Sequence, residues 1–302
     1  MKGTVKRFMR KLLSVIAAAT LLITLGSCDE NAINNVTGGD YPVTVWGVEI
    51  AKCPQKVISL SPAVTDVIYT LGSDAQLCGV SENCNNSRGL ATYGSSAMPD
   101  VDKIIASDAE YVLTDGSMPD SARKLLSDEK KTLIITPVVT DYSELETFYE
   151  SVASIFSGYS TGKSNAENTF ARIDERVQSV RKKVGDKAAD AVILLDAGIA
   201  AAKGTFADQM LTFAGGKNAA GDQYAMDFTA VAKADPEYIF CPADMVDTVK
   251  NDKILASTKA VKNGNVTALS PLYFERYGEN IALGVEIMAS AMHPDAVKSP
   301  LK

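Results

Sequence analysis

The sequence predicts an α/β protein, two Rossmann-like lobes with mainly parallel sheets joined by one long rigid α-helix. Three observations carry that expectation. Apolar runs of strand length alternate with segments of helical period in the first half of the chain. The same alternation restarts in the second half. Between them lies an amphipathic stretch that neither glycine nor proline interrupts from Ser164 to Val184. A chain of 302 residues also exceeds what one ordinary small core organises, which favours two lobes.

In the first half, strands are expected at 56–60 (KVISL), 76–81 (QLCGVS), 111–115 (YVLTD) and 132–139 (TLIITPVV). Val64, Val67, Ile68 and Leu71 recur at i, i+3, i+4 and i+7, so a helix follows the first strand directly. At their junction Ser61 is placed to cap the helix and Pro62 to open it, because the N–H that proline lacks has no partner there anyway. In open α/β sheets such helix starts gather at the carboxyl ends of the strands, where ligands bind. The same dipeptide also serves as a bare cap, and this stretch alone does not choose between the two.

A helix is expected over 143–158, ended by Gly158. A second, over 165–184, places Ala166, Phe170, Ile173, Val177, Val180 and Val184 on one face. It would be about 30 Å long at 1.5 Å per residue. Beyond it, strands are expected at 191–197, 238–243 and 266–270, and a last helix from about Glu279 to Met292. The organisation expected is therefore a leader (1–27), a tether (28–40), an N-terminal lobe (41–142), a helical connection (143–187) and a C-terminal lobe (188–302).

The leader is read from Lys2, Lys6, Arg7, Arg10 and Lys11, followed by the apolar run LLSVIAAATLLITL, too short to span a bilayer comfortably and proportioned like a signal-peptide core. Its end, LGSC at 25–28, resembles the bacterial lipobox, which makes Cys28 the acylated N-terminus of the mature protein. The protein is then exported and lipid-anchored to a bacterial membrane, on the outer face of the cytoplasmic membrane or in the periplasm. Without the five basic residues of the leader, 25 Lys and Arg face 37 Asp and Glu, a net charge of −12. That balance argues against nucleic acid, and leaves the lipid as the membrane contact.

Of the later cysteines, Cys53, Cys78, Cys84 and Cys241, the pair Cys78 and Cys84 flanks a short loop across which a disulfide is permitted, though spacing does not fix connectivity. No CxxC occurs, which removes the thioredoxin motif and the usual zinc knuckle. The single histidine, His293, cannot by itself build a zinc or manganese site or serve a Ser-His-Asp triad, and GxSxG is absent. The twin glycines of FAGGKN fit neither a P-loop nor GxGxxG. No metal, no cofactor and no enzymatic activity are expected. A paired-carboxylate hydrolase, a sensor and a metal-ion-binding relative stay open as alternatives.

A further set of segments, in order, carries a resemblance: the lipobox, VISLSPAVTDVIYTLG, CGVSENC, MPDVDKIIASDAEYVLTD, FAGGKN, ADPEYIF and YFERYGENIALG. From Cys53 to His293 the chain is similar to the substrate-binding lipoproteins of ABC importers that take up cobalamin, ferric siderophores and haem. The resemblance implies a monomer that holds a small-molecule metal chelate between its lobes with little hinge motion, and an ABC permease and its ATPase as partners. It also implies that the Ser61–Pro62 turn forms part of the cleft floor.

YFERYGENI looks closest to the cobalamin-binding members, so Arg276 is expected to meet acidic groups of the ligand in a bidentate fork. A surface ion pair with Glu275 or Glu279 is its alternative. Tyr273, Phe274 and Tyr277 are candidates for stacking on the ligand, at least one of them being core. The resemblance places permease docking at Asp102 and, where Thr229 occupies the second acidic position, at Asp227. The only tryptophan, Trp46, precedes the first lobe, and Asn83 stands where an aromatic is expected, while Tyr93 and Tyr224 lie on loops that could face the cleft. A cleft more polar than a typical corrinoid site shifts the expected cargo toward a ferric siderophore, with a corrinoid next and haem a lesser candidate.

Overall fold

A computed structural model describes residues 40–301, apart from Gln223. The leader, the lipidation at Cys28 and all of the tether but Asp40 lie outside these residues.

The described chain begins with a hairpin, β1 (Val43–Val45) and β2 (Val48–Ile50), paired antiparallel with Val43 opposite Ile50. Val43, Val45 and Ile50 are buried while Thr44 and Glu49 face out, the period-two pattern of a one-sided ribbon. Its strands are shorter than the apolar runs on which the expected strands rest, and the hairpin is not among them.

The first sheet follows, with β3 (Val57–Ser59), α1 (Pro62–Thr70), β4 (Leu77–Val80), β5 (Ala91–Thr92), α2 (Val101–Ala106), β6 (Tyr111–Thr114), α3 (Asp120–Asp128) and β7 (Thr132–Ile135). All neighbours are parallel in the order β5-β4-β3-β6-β7. Both faces are covered, which is why these strands read as continuous apolar runs. The expected strand at 132–139 ends at Ile135, because Pro137 has no N–H to give a ladder, and the remainder becomes a loop with Val138 68% exposed.

The connection consists of α4 (Leu145–Ser157) and α5 (Tyr159–Val184), with Gly158 between them. At 26 residues α5 runs about 39 Å. It starts earlier than the expected 165 and takes in Gly162, whose missing side chain has a reason: a Cβ there would lie 2.8 Å from the backbone of Ala153 and Ser154. The two helices touch backbone to backbone at that point.

The second sheet is built from β8 (Ala189–Asp196), β9 (Ile199–Ala200), α6 (Phe206–Phe213), β10 (Gly216–Asn218), α7 (Phe228–Ala234), β11 (Tyr238–Cys241), α8 (Val246–Asn251), α9 (Lys259–Lys262) and β12 (Val266–Ala268). Its path β10-β8-β11-β12 is parallel, with β9 antiparallel on β8. Then come α10 (Leu272–Glu275) and α11 (Asn280–Met292). The twin glycines close α6 against α11: Gly215 sits at φ +80°, and a Cβ there would meet His293 Nε2 at 2.6 Å.

One apolar cluster runs from Val43 through α4 and α5 to Val297 and so belongs to both lobes. Smaller clusters fill the other face of each sheet, around Ile104 and Leu126 in the first lobe and around Val231 and Val249 in the second.

The sheet faces also separate Cys78 from Cys84. Cys78 packs on the Ile104 side and donates to Val57 O at 3.5 Å. Cys84 packs on the large cluster and donates to Thr65 Oγ1 at 3.1 Å. The permitted bridge is therefore not formed, and both are free thiols, as is Cys241. Burial raises the pKa of all three, that of Cys241 to about 11, which makes them poor nucleophiles.

Candidate ligand-binding cleft

Strand order turns back at β3 and β6, and the loops leaving the carboxyl ends of such strands enclose the crevice of an open parallel sheet. Here those loops bring together Ser61 after β3, Asn83 after β4, Asp115 after β6 and Thr136 after β7 around a cavity of about 560 Å³. From the other side Leu272, Glu275, Arg276 and Tyr277 close it. A second cavity of about 480 Å³ adjoins it, sharing Val138, Glu275 and Tyr277, and takes its far wall from Leu195, Ala201 and Tyr224 of the second lobe. The two form one cleft between the lobes.

Its floor in the first lobe is a net of hydroxyls. Ser61 has extended backbone (φ −95°, ψ 115°) and its Oγ accepts from Val64 N at 3.5 Å, with Pro62 opening α1. Ser96 Oγ donates to Leu60 O at 3.1 Å and accepts from Thr114 Oγ1 at 3.2 Å and Asp115 N at 3.4 Å. Thr65 Oγ1 bonds Ser59 Oγ at 2.8 Å and Ser61 O at 2.9 Å. The buried groups of the strand ends are thus satisfied within the protein, which holds the cleft edge in one arrangement.

Tyr277 binds the lobes together. Its ring packs edge-on against Phe148 of α4, centroids 5.5 Å apart, and against Phe206 of α6 at 5.8 Å. Its hydroxyl donates to Val139 O and accepts from Val139 N, each at 3.2 Å, and its carbonyl accepts from Tyr149 Oη at 2.6 Å. Burial raises the pKa of this phenol.

Arg276 lines the first cavity, yet its guanidinium turns to the first lobe. Nη2 donates to Asn83 O at 2.6 Å and Nη1 lies 3.8 Å from Asp66 Oδ2, with both side chains only 16% exposed. The alternative partners Glu275 and Glu279 are not the ones used. Burial raises the pKa of Asp66, and the guanidinium opposes that rise.

Of the other expected ligand residues, Pro62 and Asn83 line the first cavity, Tyr224 and Phe274 the second. Tyr224 is 56% exposed, while Phe274 is 5% exposed and mostly core. Tyr93 lies away from both cavities, buried in the Ile104 cluster with its ring under Lys103 Nζ at 4.9 Å, where Gly79 beside it leaves room for the ring. Tyr273 packs, half-buried, against the large cluster, its Cβ over Gly284 of α11, and is not among the residues that line these two cavities.

Asp102 is exposed in the first turn of α2, capped by Asp100. Asp227 is exposed and caps α7, its Oδ1 accepting from Ala230 N at 2.8 Å. Both acids therefore already serve helix N-termini.

Sequence reasoning missed Val138 and Leu272, apolar side chains 68% and 44% exposed in the cleft, along with Asp115, Thr136 and Glu275. Pro137 inside an otherwise strand-like run is the signal that would have found Val138. Trp46 lines a third cavity of about 390 Å³ with Pro137, Val138 and Phe148, all three of which also line the first, so it stands beside the cleft. Among the described residues no three His, Cys, Asp or Glu side chains gather as a metal site, and no helix is long and apolar enough to cross a membrane.

Two parallel α/β lobes, a long connecting helix and a cleft at the strand ends define a two-lobed ligand-binding protein. The periplasmic binding protein family matches residues 57–273, and the chain belongs to that family. It is 25% identical, over 85% of its length and 88% of the relative's, to the uncharacterized ABC transporter substrate-binding lipoprotein YvrC of Bacillus subtilis. It is 23% identical, over 80% of its length and 70% of the relative's, to the cobalamin-binding protein of Halobacterium salinarum. In structure it is similar to the periplasmic heme-binding protein of Pseudomonas aeruginosa, with a TM-score of 0.72, 18% identity and coverage of 82% of this chain and 96% of that one. These relatives are named as binding proteins, not enzymes.

Proposed function

We propose that this protein captures a metal chelate, a ferric siderophore or a corrinoid, in the cleft between its lobes and delivers it to the permease and ATPase of an ABC importer. It does so outside the cytoplasm, tethered by a lipid on Cys28. The observation that supports this reading best is the cleft itself: two adjoining cavities in which Val138, Leu272 and Tyr224 stay exposed although the large apolar side chains around them are buried. Apolar surface left uncovered in a concave site is what an amphipathic ligand covers.

The relatives' printed ligands, cobalamin and heme, agree with that class. Permease docking is assigned to Asp102 and Asp227, one exposed acid on each lobe.

A thermal-shift titration with cyanocobalamin, ferric siderophores and haem tests the reading. A bound cargo raises stability by about 2.7 kcal/mol at a hundredfold excess over Kd. Absence of a shift with all of them would refute the cargo class, and chemical turnover of a bound compound would favour a hydrolase.

A further inference from the structure

We infer, resting on the binding function proposed above, that Asp66 sets the charge of the cargo: it holds Arg276 against the first lobe and leaves an acidic cleft that admits uncharged or cationic chelates and rejects polyanionic ones.

The charged side chains that line the two cavities are Asp115, Glu275 and Arg276. The only cation of the three is already engaged, by Asp66 at 3.8 Å and by Asn83 O at 2.6 Å. Glu275 is exposed and makes no ion pair among the described residues. Asp115 Oδ1 accepts from the N–H of Ser117 at 2.9 Å and from its hydroxyl, and no cation pairs with it among the described residues. Lys203, next to Gly204, lines neither cavity. Among the described residues the cleft therefore offers two carboxylates and no free cation.

A ligand with carboxylates or catecholates turned into this space loses hydration and gains no counter-charge, and it meets like charge at close range. An uncharged or cationic chelate meets no such penalty, and its amide and hydroxamate edges suit the hydroxyls and carboxylates present. Asp66 is a positioning residue in this scheme, acting through Arg276. Without its charge the guanidinium is free to turn into the cleft and accept an anion.

The test titrates the protein with four probes: cyanocobalamin, which is uncharged overall, a cationic ferric trihydroxamate, haem with its propionates, and a trianionic ferric tricatecholate. The expected result is that the tighter of the first two binds at least about tenfold better than either anion. Asp66→Asn should strengthen anion binding by about tenfold while changing the uncharged or cationic probe by less than about threefold. Glu275→Gln, at an exposed position where folding is not at stake, should act in the same direction. Equal or tighter binding of haem or the tricatecholate by the unaltered protein would overturn the inference and leave the binding function standing. So would anion affinities that neither substitution moves. Binding of none of the four would overturn both.

Discussion

At the residue scale the cleft depends on side chains that each do two jobs, and Tyr277 is the clearest. It lines both cavities, yet its ring is 7% exposed and packs on helices from the connection and from the second lobe. Truncation to alanine should cost about 3–5 kcal/mol in a urea melt, whereas Tyr277→Phe, which loses only the bonds to Val139, should cost about 1–3 kcal/mol.

Asp66 allows a pH prediction. Its folded pKa is raised above the ordinary 3.8 by burial, so the folded state takes up a proton before the unfolded state does. The contribution of this group to stability is fully present below its unfolded pKa and is lost as pH rises through the folded value. Profiles of stability against pH for the unaltered protein and Asp66→Asn should therefore differ in slope just above pH 3.8, the unaltered protein gaining relative stability on acidification. Arg276→Ala removes the opposing charge and should push the window to higher pH. A parallel pair of profiles would contradict the burial of this carboxyl. The position of Arg276 at the cavity wall agrees with its being singled out from YFERYGENI, but its partner was not legible, because Asp66 lies 210 positions away on α1 and nothing local to either residue announces the pair.

At the element scale, period and caps carried the reading well where an element is long or sharply bounded. α4, ended by Gly158, and the start of α1 at Pro62 fall where the spacing and the cap predict them. Elements of two to four residues, such as β1, β5, β9 and β10, leave too few positions for a period to show. The start of α5 was misplaced because Gly162 reads locally as a helix breaker, while its real reason is a tertiary contact with α4. That contact predicts the effect of Gly162→Ala. Helix propensity favours alanine by about 1 kcal/mol, but a Cβ 2.8 Å from the backbone of Ala153 and Ser154 forces α4 and α5 apart. Net destabilisation of about 1–3 kcal/mol is expected by thermal or urea melting, and a stabilised variant would show that the helices are not in contact there. The loop after β7 behaves oppositely: Val138 is exposed, so Val138→Ser should leave stability within about 0.5 kcal/mol while weakening the cargo.

At the scale of the whole molecule, the two sheets are separate but their cores are not. The large apolar cluster crosses from Val43 to Val297 by way of α4 and α5. The segment after β12 returns to the first lobe, where Arg276 meets Asp66 and Tyr277 meets Val139. Arg176 of α5 is held by Glu286 of α11 in a bidentate pair at 3.0 and 2.8 Å. Opening the cleft as a hinge would break these contacts, so small-angle scattering should give the same radius of gyration for the empty and the loaded protein, within about 1 Å, where a closing hinge would give a clear contraction. Sequence could show two lobes and a stiff link, since both are periodic patterns. It could not show the return of 271–281 to the first lobe, which is fixed by packing between distant segments.

We place the cargo in the cleft beside Trp46. Trp46 is the only tryptophan and lies beside the cleft, sharing Pro137, Val138 and Phe148 with its wall, so its fluorescence is placed to respond to a chelate bound there. Titration with a coloured chelate such as cyanocobalamin or a ferric trihydroxamate should quench it saturably at one ligand per chain, with weaker binding in Val138→Ser. Quenching that fails to saturate with every chelate, or a saturable response that Val138→Ser leaves unchanged, would contradict the placement of the cargo in this cleft.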